Sequence, residues 1–279
     1  MPIASINGIE IHFEEQGSGE AVLLIPASWW PGDTWKVGVV PVLARRYRTI
    51  TFDCRGTGRS SKPVNGYTVK QFAADALGLL THLGVKRCHV VGFALGSLIV
   101  QAMAIERPEV VATLTMAAAG PGSKRLDGNP RDLSPETMRE IGVMGFEQYI
   151  RSHIDNDGMA YDPEYYRQHR DLAWALADAL WSGQSTVEIF RRHEAARLSW
   201  DTLAEAPKVK VPTLVLCGAD DGVERCGSTP AATAKRLALL IPGAELALIP
   251  NTRHMTFWDG DGALSALQDF LARHPIGRH

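Results

Sequence analysis

No apolar run in this 279-residue chain approaches the roughly 18 residues that a membrane-crossing helix needs. No membrane partner is therefore expected. Neither sign of charge dominates: the formal net charge is −2, and no basic stripe or polybasic segment occurs. That speaks against nucleic acid and against anionic lipid as partners. Cysteine is scarce. Cys54, Cys88, Cys217 and Cys226 form no CxxC pair, and three of them sit in or beside apolar strand-like runs. Buried reduced thiols are expected rather than a disulfide framework or a metal site. The nine histidines are scattered without an HExxH-like cluster, so no metal is expected. The opening MPIASINGIEIHFEEQG has no cationic stretch followed by an apolar block. No signal peptide is read, and a cytoplasmic protein is expected. Internal repeats and low-complexity tracts are absent as well. What is left is an ordinary globular balance, 45% hydrophobic and 22% charged, suited to a small-molecule substrate. Oligomeric state, including a homo-oligomer, is left open.

What is present is a rhythm of strands and helices. Residues 3–14 alternate as strand, and AVLLIP (21–26), YRTITFD (47–53), CHVV (88–91) and VVATLTMAA (110–118) read as further strands. Thr68 caps a helix predicted over 69–83 and stopped at Gly84, and a second helix runs from Ser97 to Arg107 before Pro108. TLVLCG (213–218), helix-like AATAKRLALL, ELALIP (245–250) and a helical pattern over 261–273 follow. Such alternation implies α/β architecture, a mostly parallel central sheet with helices on both faces. Residues 121–205 contain no apolar strand run. Ser134–Pro135 and Asp162–Pro163 each open a helix there, and STVEIFRRHEAARLSW reads as a third. The expected division is a core of 1–120 and 206–279, with 121–205 as a helical cap.

The chemistry concentrates at HVVGFALGSLIVQ (89–101). A strand enters Gly-x-Ala-x-Gly and leaves as helix, the context of a nucleophile elbow whose central residue is a serine. Here Ala94 stands between Gly92 and Gly96, and alanine attacks nothing. The partners expected from later loops follow in order. Past the strand TLVLCG come Asp220 and Asp221, and the spacing after Gly218 favours Asp221. TMAAAGPG, the other place for an acid, holds no carboxylate. Past the last strand, ALIPNTRHMTFWD supplies His254. Ser97 lies one turn along the helix and is no substitute nucleophile.

These motifs resemble the α/β-hydrolase fold superfamily, of the serine esterase and lactonase type, over essentially the whole length. FDCRGTGRSS (52–61) is similar to its Asp-x-Arg-Gly-x-Gly-x-Ser turn, a structural element. The resemblance implies an oxyanion hole from the N–H groups of Leu95 and Ser28, the latter in LLIPASWWPGDTW, where Pro26-Ala27 replaces the usual His-Gly. His254 would act as base and Asp221 would orient it, with no cofactor and no metal. Three readings of Ala94 compete. The chain is a serine hydrolase with its nucleophile replaced, acting through an acyl-enzyme when serine is present; or it uses His254 as base without a nucleophile, as a lyase, C–C bond hydrolase or cofactor-free oxygenase; or it is a binding or receptor-like protein that lost catalysis. The first is preferred, because both glycines, the acid and the histidine remain. Trp29 and Trp30 in the oxyanion loop, with Phe146 and Trp181 in the helical segment, point to a bulky, uncharged, partly aromatic ester or lactone. Trp35 and Trp174 read as core. Arg191, Arg192 and Arg197 are the residues that a small anionic substrate would need instead.

Overall fold

The computed structural model describes residues 2–124, 160–183, 185–222 and 229–277, together with 145, 147, 148 and 151. The expected helix at Ser134–Pro135, Phe146 and Cys226 lie outside the described residues. Eight strands form one sheet: β1 (Ile3–Ile6), β2 (Ile9–Gln16), β3 (Ala21–Ile25), β4 (Arg48–Phe52), β5 (Cys88–Phe93), β6 (Val111–Ala117), β7 (Thr213–Gly218) and β8 (Glu245–Ile249). Their spatial order is β1-β2-β4-β3-β5-β6-β7-β8. β2 runs antiparallel to β1 and β4, and every other pairing is parallel. This is the α/β sheet that the alternating pattern predicts. β3, β5, β6 and β7 are buried along their whole lengths, as strands covered on both faces must be.

One expectation is corrected at the start of the chain. Residues 3–14 are not a single strand but a hairpin, because Asn7 (φ 49°) and Gly8 (φ 77°) make a two-residue turn. Both turn residues take positive φ, which the Asn-Gly pair tolerates best and which matches the strand twist.

Side chains alternate off the sheet into two cores. After a short first helix, α1 (Val40–Leu43), come α2 (Val69–His82) and α3 (Leu95–Glu106); Ala21, Leu23 and Ile25 join the core beneath these two and the helix Pro230–Leu240. Val22 and Leu24 join the other, with Trp35, Trp258 and the helix Gly262–Arg273. Thr68 caps α2 by accepting from Gln71 N, as its position predicts. Between β6 and β7 the chain forms helices Pro163–Gln168, Arg170–Ser182, Val187–Arg197 and Thr202–Glu205. The helix expected from Asp162 onward is therefore two, broken at His169. The His169 ring stacks on Tyr165 at 4.0 Å, and its Nδ1 lies 3.0 Å from Tyr165 O. The site-bearing loops leave the carboxyl ends of the parallel strands, where ligand sites gather in such sheets.

Candidate active site

One residue, Ala94, separates β5 from α3, and it bears the turn. Its φ of 51° and ψ of −109° are strained for any residue with a Cβ. The fold holds it there from both sides: Ala94 N donates to Ala117 O at 2.9 Å, and Ser97 N donates to Ala94 O at 3.1 Å. The flanking glycines are obligatory. A Cβ on Gly92 would lie 2.2 Å from Gly96 O, and one on Gly96 would lie 2.2 Å from Ile25 O. Leu95 opens α3, so its N–H belongs to the unpaired donors of a helix start. Ser97 Oγ lies 2.8 Å from both Gly92 O and Ala117 O, which turns it into the sheet and away from the elbow.

The acid and histidine loops meet beside this turn. His254 Nδ1 is 2.9 Å from Asp221 Oδ2. Asp221 is buried while Asp220 is exposed. A carboxylate only accepts, so Nδ1 carries the proton and Nε2 presents its lone pair. The imidazole leans on the ring of Phe93, the residue before Ala94, centroid to centroid 5.6 Å. Gly218 makes the meeting of the two loops feasible, because a Cβ there would lie 2.2 Å from Thr252 O and 2.4 Å from Arg253 O. The sequence offered Gly218 only as a ruler for spacing; the close approach has no signature in one chain. Asp259 fastens the same loop by accepting from Arg253 N at 2.6 Å and from Asp162 N at 2.8 Å. Burial raises the Asp259 carboxyl to about 6.

The loop 26–36 leaves the carboxyl end of β3. Ser28 is buried, and its Oγ has no hydrogen-bond partner among the described protein atoms. Trp30 is 5% exposed and packs on Phe93 and Trp258. It is thus a support beneath the site. Trp29 is the half-buried member of the pair, with φ 56°, edge-on to Trp30 and tilted on Phe190 of the helix Val187–Arg197. Trp35 is fully buried, as expected, and Trp174 half-buried. Trp181 is 37% exposed. Of the three arginines, Arg192 bonds Glu188 and Pro63 O, and Arg197 pairs with Glu194. The Asp-x-Arg-Gly turn is structural, as read: Asp53 accepts from Gly32 N and Arg59 N, and Arg55 pairs with buried Asp75. The three described cysteines are free and buried, and burial lifts the Cys88 thiol to about 12. Among the described residues no group of His, Cys, Asp and Glu could hold a metal ion, and no helix is long and apolar enough to cross a membrane.

Residues 21–261 match the family described as alpha/beta hydrolase fold. A putative carbamate hydrolase RutD from Stutzerimonas stutzeri is 31% identical over 219 residues, covering 77% of each chain. A putative non-heme chloroperoxidase from Synechocystis sp. is 27% identical over 272 residues, 90% of each chain. Among solved structures, the enol-lactonase from Burkholderia xenovorans superposes with a TM-score of 0.80 at 22% identity, over 97% of this chain and all of that one.

Proposed function

The chain belongs to the α/β-hydrolase fold family, and from that premise we propose that it hydrolyses an activated acyl carbonyl (ester, lactone or carbamate) with His254 as general base on water. The observation that carries this is the His254–Asp221 pair, with Nδ1 toward the carboxylate and the ring packed on Phe93, the residue before an elbow that has no hydroxyl. Nε2 takes a proton from water as the water oxygen attacks the carbonyl. Asp221 holds the tautomer and stabilises the imidazolium. The carbonyl oxygen becomes an anion facing the Leu95 and Ser28 N–H groups. The imidazolium then returns its proton to the leaving group. The route favours carbonyls with good leaving groups, because water replaces a fixed nucleophile. It needs no cofactor. The helices between β6 and β7 act as the cap over this cleft. Trp29 is the aromatic wall that suits a bulky, uncharged acyl group, and the engagement of Arg192 and Arg197 elsewhere argues against a small anionic one.

The preserved strain at Ala94 favours a second reading, in which the same pocket is a serine hydrolase whose nucleophile position is occupied by alanine. The test is a panel of p-nitrophenyl esters, aryl-bearing lactones, enol-lactones and N-substituted carbamates, assayed with the parent, His254→Ala and Ala94→Ser. Water activation predicts measurable turnover by the parent that falls about 10²- to 10⁴-fold in His254→Ala. A silent parent, with ester cleavage and an acyl-enzyme burst in Ala94→Ser alone, would establish the second reading. Silence from both proteins excludes the hydrolase. A tenfold kcat/KM preference for anionic enol-lactones, about 1.4 kcal/mol of transition-state binding, would refute the aromatic wall.

A further inference from the structure

The oxyanion loop does not stand alone. Trp29 combines a bulky side chain with positive φ, a conformation that something must hold. Both sides of its backbone are tied to the helical segment. Trp29 N donates to His193 Nδ1 at 2.9 Å, and Ser185 Oγ donates to Trp29 O at 2.7 Å. A third approach is steric, because Gly183 comes so close to Pro31 that a Cβ would meet its ring at 2.9 Å. His193 is buried on the helix Val187–Arg197, against the rings of Tyr67 and Phe72. Since Nδ1 accepts from Trp29, Nε2 carries the proton and donates it to Arg55 O at 3.0 Å. Gly56 leaves room for that ring: a Cβ there would lie 3.2 Å from Nε2.

We infer that His193 is a positioning residue of the oxyanion hole, clasping the Ser28–Trp29 peptide from the helical segment so that the Ser28 N–H faces the reacting carbonyl. The inference rests on the hydrolase reading above for its catalytic consequence. The clasp works by elimination as well as by tension. It commits the Trp29 N–H to His193, Trp30 N donates to Ala27 O, and Pro26 and Pro31 have no N–H. Neither tryptophan N–H can therefore serve the anion. A shift of the backbone at Ser28 and Trp29, which would carry the Ser28 N–H out of line, breaks the His193 bond. His193 thus adds a second hold, from the helical segment, on a loop that Asp53 already fastens from the sheet side at Gly32 N.

The experiment compares His193→Phe, which keeps a planar ring but deletes both bonds, with His193→Asn, whose amide oxygen reaches the Nδ1 position and accepts from Trp29. Amide hydrogen exchange at Trp29 reads the clasp without reference to activity. Steady-state kinetics on the panel substrate that the parent turns over reads its consequence. The expected result is faster exchange at Trp29 and a kcat about 10- to 100-fold lower at nearly constant KM in His193→Phe, with both restored most of the way in His193→Asn. Unchanged exchange in His193→Phe overturns the clasp. Faster exchange with kcat unchanged, or a loss in KM alone, overturns the positioning role. Should His193→Phe not fold, Ser185→Ala replaces it, with a smaller rise in Trp29 exchange expected and the same outcomes deciding. If only Ala94→Ser turns over, the kinetics are read in that background; silence from both proteins refutes the hydrolase reading, and the exchange measurement then decides the clasp by itself.

Discussion

Ala94 is where residue chemistry and backbone strain separate. A serine at this position has a function that repays an unfavourable φ, whereas alanine keeps the geometry without the hydroxyl. Its Cβ is the source of the strain, which costs on the order of 1–3 kcal/mol. Glycine removes the Cβ but adds unfolded-state entropy of about 0.4–1 kcal/mol. The balance predicts that Ala94→Gly stabilises the chain by about 1 kcal/mol and raises Tm by roughly 2–4 °C in a thermal melt. A lower Tm would mean that the methyl group packs more than it strains. The sequence made this position legible, since Gly92 and Gly96 at fixed spacing between a strand and a helix have few other uses. Ser28 and Trp29 were legible only as neighbours of an expected loop. Which of the two tryptophans faces inward depends on a φ of 56°, and composition does not report a dihedral angle.

At the scale of elements, the site depends on how closely two loops can pass. β7 ends in Gly218, and the loop that carries His254 runs over it with Thr252 O and Arg253 O inside the space a methyl group would need. Gly218→Ala must push that loop outward. The expected cost is about 1–3 kcal/mol in urea unfolding, with a fall in the His254-dependent rate as the 2.9 Å contact to Asp221 lengthens. Stability and rate equal to the parent would show that the loop relaxes freely. Elements follow from the sequence wherever periodicity is strong, as in α2, β3 and β7. The Asn7-Gly8 turn signal is easily lost, because the residues on each side both alternate and read together as one strand. The break at His169 left no glycine or proline to announce it. Contacts across the fold, Gly218 under the histidine loop and His193 against Trp29, are invisible to local pattern by their nature.

For the whole molecule, His193 also links the fold to pH. Burial depresses its pKa from the usual 6.5 to about 4, outweighing the opposing pull of the Arg55 carbonyl and Glu194; the other faces of the ring meet Tyr67, Phe72 and the Trp29 N–H. The folded state therefore binds fewer protons than the unfolded one between pH 6.5 and 4. Stability from this group is complete above pH 6.5 and is lost as pH falls toward 4, by about 3 kcal/mol in all. Burial lowers His89 and His12 in the same direction, while the raised Asp259 works against them below pH 6. Comparison of variants isolates the single group: the stability gap between the parent and His193→Phe should shrink by about 3 kcal/mol from pH 7 to pH 4 in denaturant titrations. A gap independent of pH would show that His193 titrates normally.

The tie between Trp29 and a helix outside the sheet has a pharmacological corollary. On the proposed hydrolase reading, an inhibitor of this protein need not compete with substrate for the space beside His254. A small molecule wedged between the helix Val187–Arg197 and the Asp-x-Arg-Gly turn, prising His193 from Arg55 O, would slacken the loop while leaving the pocket open. Inhibition of that kind is noncompetitive, lowering Vmax at constant KM, and no excess of substrate would overcome it.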